Sequence, residues 1–338
     1  MEKLWLKAVF YMNYPYPQLD RPPFCWQRQS TSDPKVSDWI QTVEDGSNVD
    51  FTSIDITVLG VPLSRSSISA SGASETPMAM RKLWKSFNPY HIEYDTDLTS
   101  LSVLDLGDVK QHVTDIGKSH QHIKEAMMSM RKYHPHALPV MLGGDHSITA
   151  MLVKGWKASH PEQKIGILQF DTHFDLRSLE DNGPSNGTPI RNLIESNTIG
   201  AGHVWNVGLH GFYNSKSLKE YAGSKGVHYV TLLQARKAGI NHTVKEALKQ
   251  LSKEVDMIYL TVDMDVLDIA YAPGVPAGTT GGMRTDELFE AVYTAGSHPL
   301  VQAMDIVCLD PLRDVGEITV KAGVHVFLNF LTGVANRK

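Results

Sequence analysis

The chain has almost no cysteine: Cys25 and Cys308 are the two in 338 residues. Two thiols so far apart give neither a disulfide framework nor a structural zinc cluster, and they point to a reducing compartment. Positive charge is not in excess either. Lysine and arginine total 32 against 37 acidic residues, for a formal charge of −5 and a pI near 6.3. Neither nucleic acid nor an anionic membrane surface is therefore an expected partner. Long apolar runs are lacking too. Glu2, Lys3 and Lys7 interrupt the apolar core that a signal peptide needs. No later run reaches the roughly 20 residues of a membrane span. The expectation is a cytoplasmic protein. Internal repeats are absent, and 42% hydrophobic with 20% charged residues is an ordinary globular composition.

Residues 1–50 are rich in proline and aromatics, as in Tyr14-Pro15-Tyr16-Pro17. They read as an irregular arm with a short helix near Val36–Val43, followed by one large domain over 51–338. From residue 54 an α/β rhythm sets in. Strand-like runs fall at 54–59, 102–106, 138–142, 164–170, 203–207, 227–230, 257–262 and 301–309, with helical patterns at 117–132, 147–159, 243–253, 285–296 and 317–331. Such alternation predicts a parallel sheet covered by helices on both faces. An open sheet of about eight strands and a closed barrel both fit it. In either architecture, functional residues collect beyond the carboxyl ends of the strands.

Three polar motifs sit at such ends. The stretch Gln169–Arg177 carries Asp171, His173 and Asp175 at i, i+2 and i+4. If the segment is extended, these side chains share one face. Asp263 and Asp265 repeat the spacing after Ile258–Val262, and His146 follows Gly143-Gly144-Asp145. Asp268, at the end of its turn, reads as support rather than ligand. The inventory is four carboxylates and two imidazoles from three strand ends. This mixture suits Mn²⁺, with Zn²⁺, Ni²⁺ and Fe²⁺ left open. Six ligands exceed one catalytic zinc site and match two ions roughly 3.5–4 Å apart. Four acids packed together without cations would repel one another strongly, so their clustering itself implies bound metal.

Gly143-Gly144-Asp145-His146-Ser147, Asp171-Thr172-His173-Phe174-Asp175 and Asp263-Met264-Asp265-Val266-Leu267-Asp268, followed by Ala272-Pro273-Gly274, resemble the three metal-binding signatures of the ureohydrolase (arginase, agmatinase, formimidoylglutamase) family. The resemblance implies a three-layer αβα sandwich with a parallel eight-stranded sheet and a di-manganese site. It implies one ion on His146, Asp171, Asp175 and Asp263, and another on Asp171, His173, Asp263 and Asp265. Asp171 and Asp263 would bridge them. The implied reaction is hydrolysis of an amidino or guanidino C–N bond by a metal-bridging hydroxide, with Asp265 relaying the proton. A homotrimer or homohexamer is the implied assembly.

Within the family, Gly60–Ser69, Asp175-Leu176-Arg177 and Gly183–Pro189 look most like formimidoylglutamase. Asn186 stands where arginases tend to carry His; it can orient an amide or carboxylate but not shuttle protons near neutral pH. The substrate this implies is N-formimidoyl-L-glutamate, hydrolysed to glutamate and formamide in histidine degradation. Arg177 and Arg191 are candidates for pairing with its two carboxylates. Cys308 falls where the family usually has a Glu facing the cationic group, and a thiol is no charge partner unless ionised. Asp310 is a possible substitute. The alternatives are another ureohydrolase, of the agmatinase or guanidino-acid type, and a metal-binding protein without turnover.

Several features read as structural. His120 and His122 fall on a helix as surface residues, and His134 and His136, which flank Pro135 in a loop, read the same way. Met127, Met128 and Met130 read as helix packing. Asp105–Asp108 reads as a loop at a strand end. Gly278–Met283 lacks the lysine of a phosphate loop.

Overall fold

A computed structural model describes residues 16–23, 27, 30, 32–42 and 53–337. Eight parallel strands carry the fold: β1 (Ile56–Gly60), β2 (Val103–Val109), β3 (Leu138–Leu142), β4 (Ile165–Phe170), β5 (Val204–Leu209), β6 (His228–Thr231), β7 (Met257–Asp263) and β8 (Val301–Val307). They lie in the order β2-β1-β3-β8-β7-β4-β5-β6. All eight expected strands are present, and the sheet is open, so the barrel alternative falls. Two short segments widen it at β2: Leu19–Asp20 pairs antiparallel and Gln41–Thr42 parallel. The parallel sheet of the resemblance is thus the centre of a larger mixed one.

The strands alternate apolar side chains between two faces, as a pleat with period 2 requires. On one face Leu138, Val140, Ile258, Leu260, Met304 and Ile306 pack against helices α1 (Thr76–Leu83), α6 (Leu232–Ala238), α7 (Ile240–Leu251), α8 (Thr285–Gly296) and α9 (Ile318–Ala335). On the other, Met141, Ile167, Tyr259 and Ala303 meet α2 (Ile116–Tyr133), α3 (Ser147–Ser159), α4 (Pro189–Glu195) and α5 (Lys216–Lys225). The result is a three-layer αβα sandwich. Helices α1, α4, α5 and α6 were not foreseen: each has ten residues or fewer, too short to fix a 3.6-residue period. Helix α9 is long and apolar enough to cross a membrane, but its 18-residue window is 72% buried inside the fold. It is a core helix.

In the N-terminal arm the short helix spans Val36–Trp39 and gives way to the Gln41–Thr42 strand. Tyr14, Pro15, Cys25 and Val43 lie outside the described residues. His120 and His134 depart from the surface reading, both being buried. His120 Nε2 lies 3.0 Å from Ser147 Oγ and 3.3 Å from Ser66 Oγ, while His134 bonds the Tyr16 hydroxyl. His122 is half-buried, with Nδ1 2.9 Å from the Lys110 carbonyl. Met127 and Met130 are core, whereas Met128 is 37% exposed.

Asp105 is no loop residue. It sits on β2 and grips Arg81 of α1 through Nε at 2.7 Å and Nη2 at 2.8 Å, while Nη1 reaches Asp108 at 2.6 Å. The Arg81 side chain is wholly buried. Removing one partner of such a cluster strands a desolvated charge. Arg81→Ala should therefore destabilise the fold by about 3–5 kcal/mol, read as a fall in urea midpoint and Tm.

Candidate metal centre

Strands β3, β8, β7 and β4 are neighbours at the middle of the sheet, and three of their carboxyl ends supply the six foreseen side chains. His146 precedes α3 at the end of the β3 turn. That turn needs glycine: Gly144 has φ +142°, and a Cβ there would lie 2.5 Å from the Val61 carbonyl oxygen. Asp145 beside it receives the Ser66 and Ser147 amides at 3.0 and 3.1 Å, which ties the 61–72 loop to the turn.

The ligand set meets, but not by strand alternation. Strand β4 ends at Phe170, before Asp171, and Asp175 has φ +54° in the left-handed region. Asp263 is the last residue of β7, and Asp265 lies in the 3₁₀ turn Met264–Val266. An extended chain rises about 3.3 Å per residue, so five residues of strand would spread the ligands too widely for one pair of ions. The chain curls instead, and asparagines and threonines hold the curl. Asn206 Nδ2 donates to the His173 carbonyl at 2.7 Å, Asn214 bonds both Phe174 N and Thr172 O, and Thr172 Oγ1 donates to the Asp265 carbonyl at 2.9 Å. Sequence reasoning missed these braces. A polar Asn206 inside the apolar run Val204–Leu209 was the available signal.

His146 Nδ1 lies 2.7 Å from Asp175 Oδ2, 3.1 Å from Asp263 Oδ2 and 3.3 Å from Asp171 Oδ2. His173 Nδ1 lies 3.1 Å from Asp265 Oδ2 and 3.5 Å from Asp171 Oδ1. Two groups of potential ligand atoms follow, His146-Asp171-Asp263 and Asp171-His173-Asp265, each with its atoms within 4.8 Å of one another. Asp171 belongs to both and turns one oxygen to each. Asp263 falls in the first; its Oδ1 accepts the Asp265 amide at 2.9 Å, as Asp171 Oδ1 accepts the His173 amide at 2.5 Å.

The residues fit a pair of divalent cations. His146 Nδ1, Asp175 Oδ2 and Asp265 Oδ1 are buried and make no aligned hydrogen bond, although the first two lie 2.7 Å apart. Burial, then the Asp171 charge, lifts Asp175 to about 6; burial, then the Asp263 charge, lifts Asp265 to about 7. Burial opposes charging of His173, but Asp265 and Asp171 outweigh it and push the imidazole up to about 12. His146 is raised in the same way by Asp175, Asp171 and Asp263. The cluster holds protons wherever no metal replaces them.

The expected substrate residues are more scattered. The exposed Arg177 pairs with no acid among the described residues, and its stem packs beside Gly187, where a Cβ would come within 2.8 Å of Arg177 Cδ. Asn186 Oδ1 accepts the Ile68 amide at 2.9 Å, joining the 61–72 and 183–188 loops. Arg191 is engaged elsewhere: Nε bonds Glu195 at 2.6 Å, and the guanidinium stacks on Tyr221 at 4.4 Å. Its expected pairing with a substrate carboxylate is set aside, because an i, i+4 partner and an aromatic face already occupy it. Cys308 is buried with φ +61°, and burial together with Asp263 and Asp265 raises its thiol well above the ordinary range. Asp310 does not replace the missing carboxylate, since it accepts the Gly72 and Leu312 amides at 2.8 and 3.0 Å. Asp268 likewise receives the Ala270 and Gly281 amides.

A three-layer αβα fold with a binuclear ligand cluster at its central strand ends defines a metal-dependent hydrolase class. The arginase family profile matches residues 54–333, and the chain belongs to that family. A formimidoylglutamase of Halalkalibacterium halodurans is 43% identical over 289 residues, 86% of this chain and 89% of the relative. The crystal structure of formimidoylglutamase from Bacillus subtilis superposes with a TM-score of 0.86 at 38% identity, over 92% of this chain and 95% of that one. A formiminoglutamase of Trypanosoma cruzi solved with Mn²⁺ shares the fold, with a TM-score of 0.81 at 22% identity over 90% of this chain and all of that one. Cluster and family together support ureohydrolase-type hydrolysis of amidino or guanidino C–N bonds.

The raised groups give a sign for metal binding. Asp175, Asp265 and His173 all take protons more readily in the metal-free fold than when unfolded. The stability they contribute is therefore present at low pH and lost as pH rises through their folded values. Metal must displace the same protons. The rise in Tm produced by Mn²⁺ should grow from pH 5.5 to 8.5, as thermal unfolding with and without the ion would measure.

Proposed function

We propose that the protein hydrolyses N-formimidoyl-L-glutamate to L-glutamate and formamide with two Mn²⁺ ions per subunit. The observation that carries the reading is the joint ligand cluster, in a chain that is 43% and 40% identical to two formimidoylglutamases over most of its length, whereas the agmatinase and guanidinopropionase it also matches are 28% and 27% identical. His146, Asp171, Asp175 and Asp263 would hold one ion, and Asp171, His173, Asp263 and Asp265 the other. Bound there, divalent cations supply Lewis acidity and make water nucleophilic near neutral pH. Asp265 takes a proton from the water as its oxygen bonds to the formimidoyl carbon. It returns that proton to the departing α-nitrogen as the C–N bond breaks. Its Oδ1 is buried without a hydrogen-bond partner, which leaves an oxygen free to take that proton.

Arg177, two residues beyond Asp175 and free of an acidic partner among the described residues, supports a dicarboxylate substrate. The Asn186 side chain orients the loop beside it. A cytoplasmic homo-oligomer, trimeric or hexameric, belongs to the same proposal and is tested by light scattering. The neutral, buried Cys308 favours one second reading, a ureohydrolase of altered specificity.

A Mn²⁺-loaded sample should release formamide from N-formimidoyl-L-glutamate and leave agmatine, arginine and guanidinobutyrate intact. Urea from a guanidino substrate alone would sink the assignment, and two bound ions with no turnover would mark a non-catalytic metal protein. Asp265→Asn should lower kcat by about 10²–10⁴-fold in a steady-state assay at saturating Mn²⁺, with circular dichroism retained. Arg177→Ala should raise KM more than it lowers kcat, because it removes a contact made equally in ground and transition states. Cys308→Glu should leave formimidoylglutamate turnover no better; a marked gain would favour the second reading.

A further inference from the structure

A fifth carboxylate lies in the centre of the sheet, outside the ligand set. Asp305 of β8 is fully buried and stands in register beside Thr261 of β7. Tyr259, two residues before Thr261, shares its face of β7, and Thr149 comes from the first turn of α3. Asp305 Oδ2 accepts the Thr149 hydroxyl at 2.7 Å and the Tyr259 hydroxyl at 2.9 Å. Thr149 Oγ1 lies 3.5 Å from Thr261 Oγ1, which in turn lies 2.9 Å from His146 Nε2. The contacts form one chain from the carboxylate to the imidazole edge that faces away from the other ligands.

We propose that Asp305 is a positioning residue that fixes the tautomer of His146 through Thr149 and Thr261. A carboxylate is an acceptor only. It therefore claims the hydroxyl protons of Thr149 and Tyr259. With its proton so directed, Thr149 Oγ1 offers a lone pair to Thr261, whose proton turns toward it. The Thr261 oxygen is then left as an acceptor for His146 Nε2–H. A proton is held on Nε2, so that Nδ1, which faces Asp171, Asp175 and Asp263, is the nitrogen left bare when a cation displaces the proton these acids hold there. An asparagine at 305 keeps the shape but adds a donor. It lets the chain reverse, so that Thr261 donates to Nε2 and the proton moves to Nδ1, where it blocks a cation. The effect follows from hydrogen-bond direction, not from titration of the buried acid.

The inference rests on the metal reading above, and the test separates the two. Mn²⁺ titration of metal-free protein, followed by electron paramagnetic resonance of the free ion, reads each affinity without turnover. Asp305→Asn should weaken one of the two ions by about 10–100-fold and leave the other unchanged. Tyr259→Phe removes a donor but keeps the acceptor, so both affinities should hold. A merely structural role for Asp305 would lower the Tm of the metal-free protein and move both affinities together or neither. Two wild-type affinities in folded Asp305→Asn would overturn the proposal. Should that variant not fold, Thr149→Val breaks the same chain at its middle; loss at one ion supports the proposal, and unchanged binding overturns it. Failure of the wild-type protein to take up Mn²⁺ would overturn the metal reading, and the proposal with it.

Discussion

Mutual repulsion among Asp171, Asp175, Asp263 and Asp265, all buried at the ends of β4 and β7, is the constraint on which the rest of the structure depends. Four carboxylates in so little water are tolerable only with positive charge between them, whether protons or metal ions. The two imidazoles reach into the same space, and Asp171 turns one oxygen toward each. That sharing makes the site a single two-part cluster rather than two neighbouring ones. The asparagines and threonines around the β4 and β7 turns neutralise nothing. They hold the backbone curled so that the acids stay together.

A second layer of carboxylates works differently. Asp145, Asp268 and Asp310 accept backbone amides, and each fixes a loop at the rim of the site. The 61–72 loop is held at Ser66 by Asp145, at Ile68 by Asn186 and at Gly72 by Asp310. Loop anchoring is thereby separated from the ligand cluster: the central strand ends carry the clustered acids and imidazoles, and the 61–72 loop is pinned beside them by other side chains. Cys308 is where the two meet, since it follows β8 and lies against Asp263.

The metal chemistry was legible because its signal is local in composition. Asp171, His173, Asp175, Asp263, Asp265 and His146 are residue types rarely crowded at strand ends without cause, and the structure brings all six together. They converge, however, through turns rather than along extended strands. Arg191 shows the opposite failure. Its position suggested carboxylate binding, but Glu195 one turn later and the Tyr221 ring, brought in from α5, already occupy it. His120 misled for a similar reason. A histidine on a helix reads as polar and exposed until the helix is seen packed against the Ser147 end of α3.

The sequence by itself determined the strand–helix alternation, the eight strands and which acids and imidazoles would cluster, because pleat and helix periods and donor chemistry are written in neighbouring residues. Only the tertiary structure decided that the sheet is open and that the ligand segments curl. It alone committed Asp310 and Arg191 to structural partners and linked Asp305 to His146 through two hydroxyls. Those outcomes depend on which strands become neighbours, in what register, and on which side chains then compete for the same hydrogen bonds. Residues 159 positions apart, such as His146 and Asp305, carry no mark of that meeting until β3, β8 and β7 lie side by side.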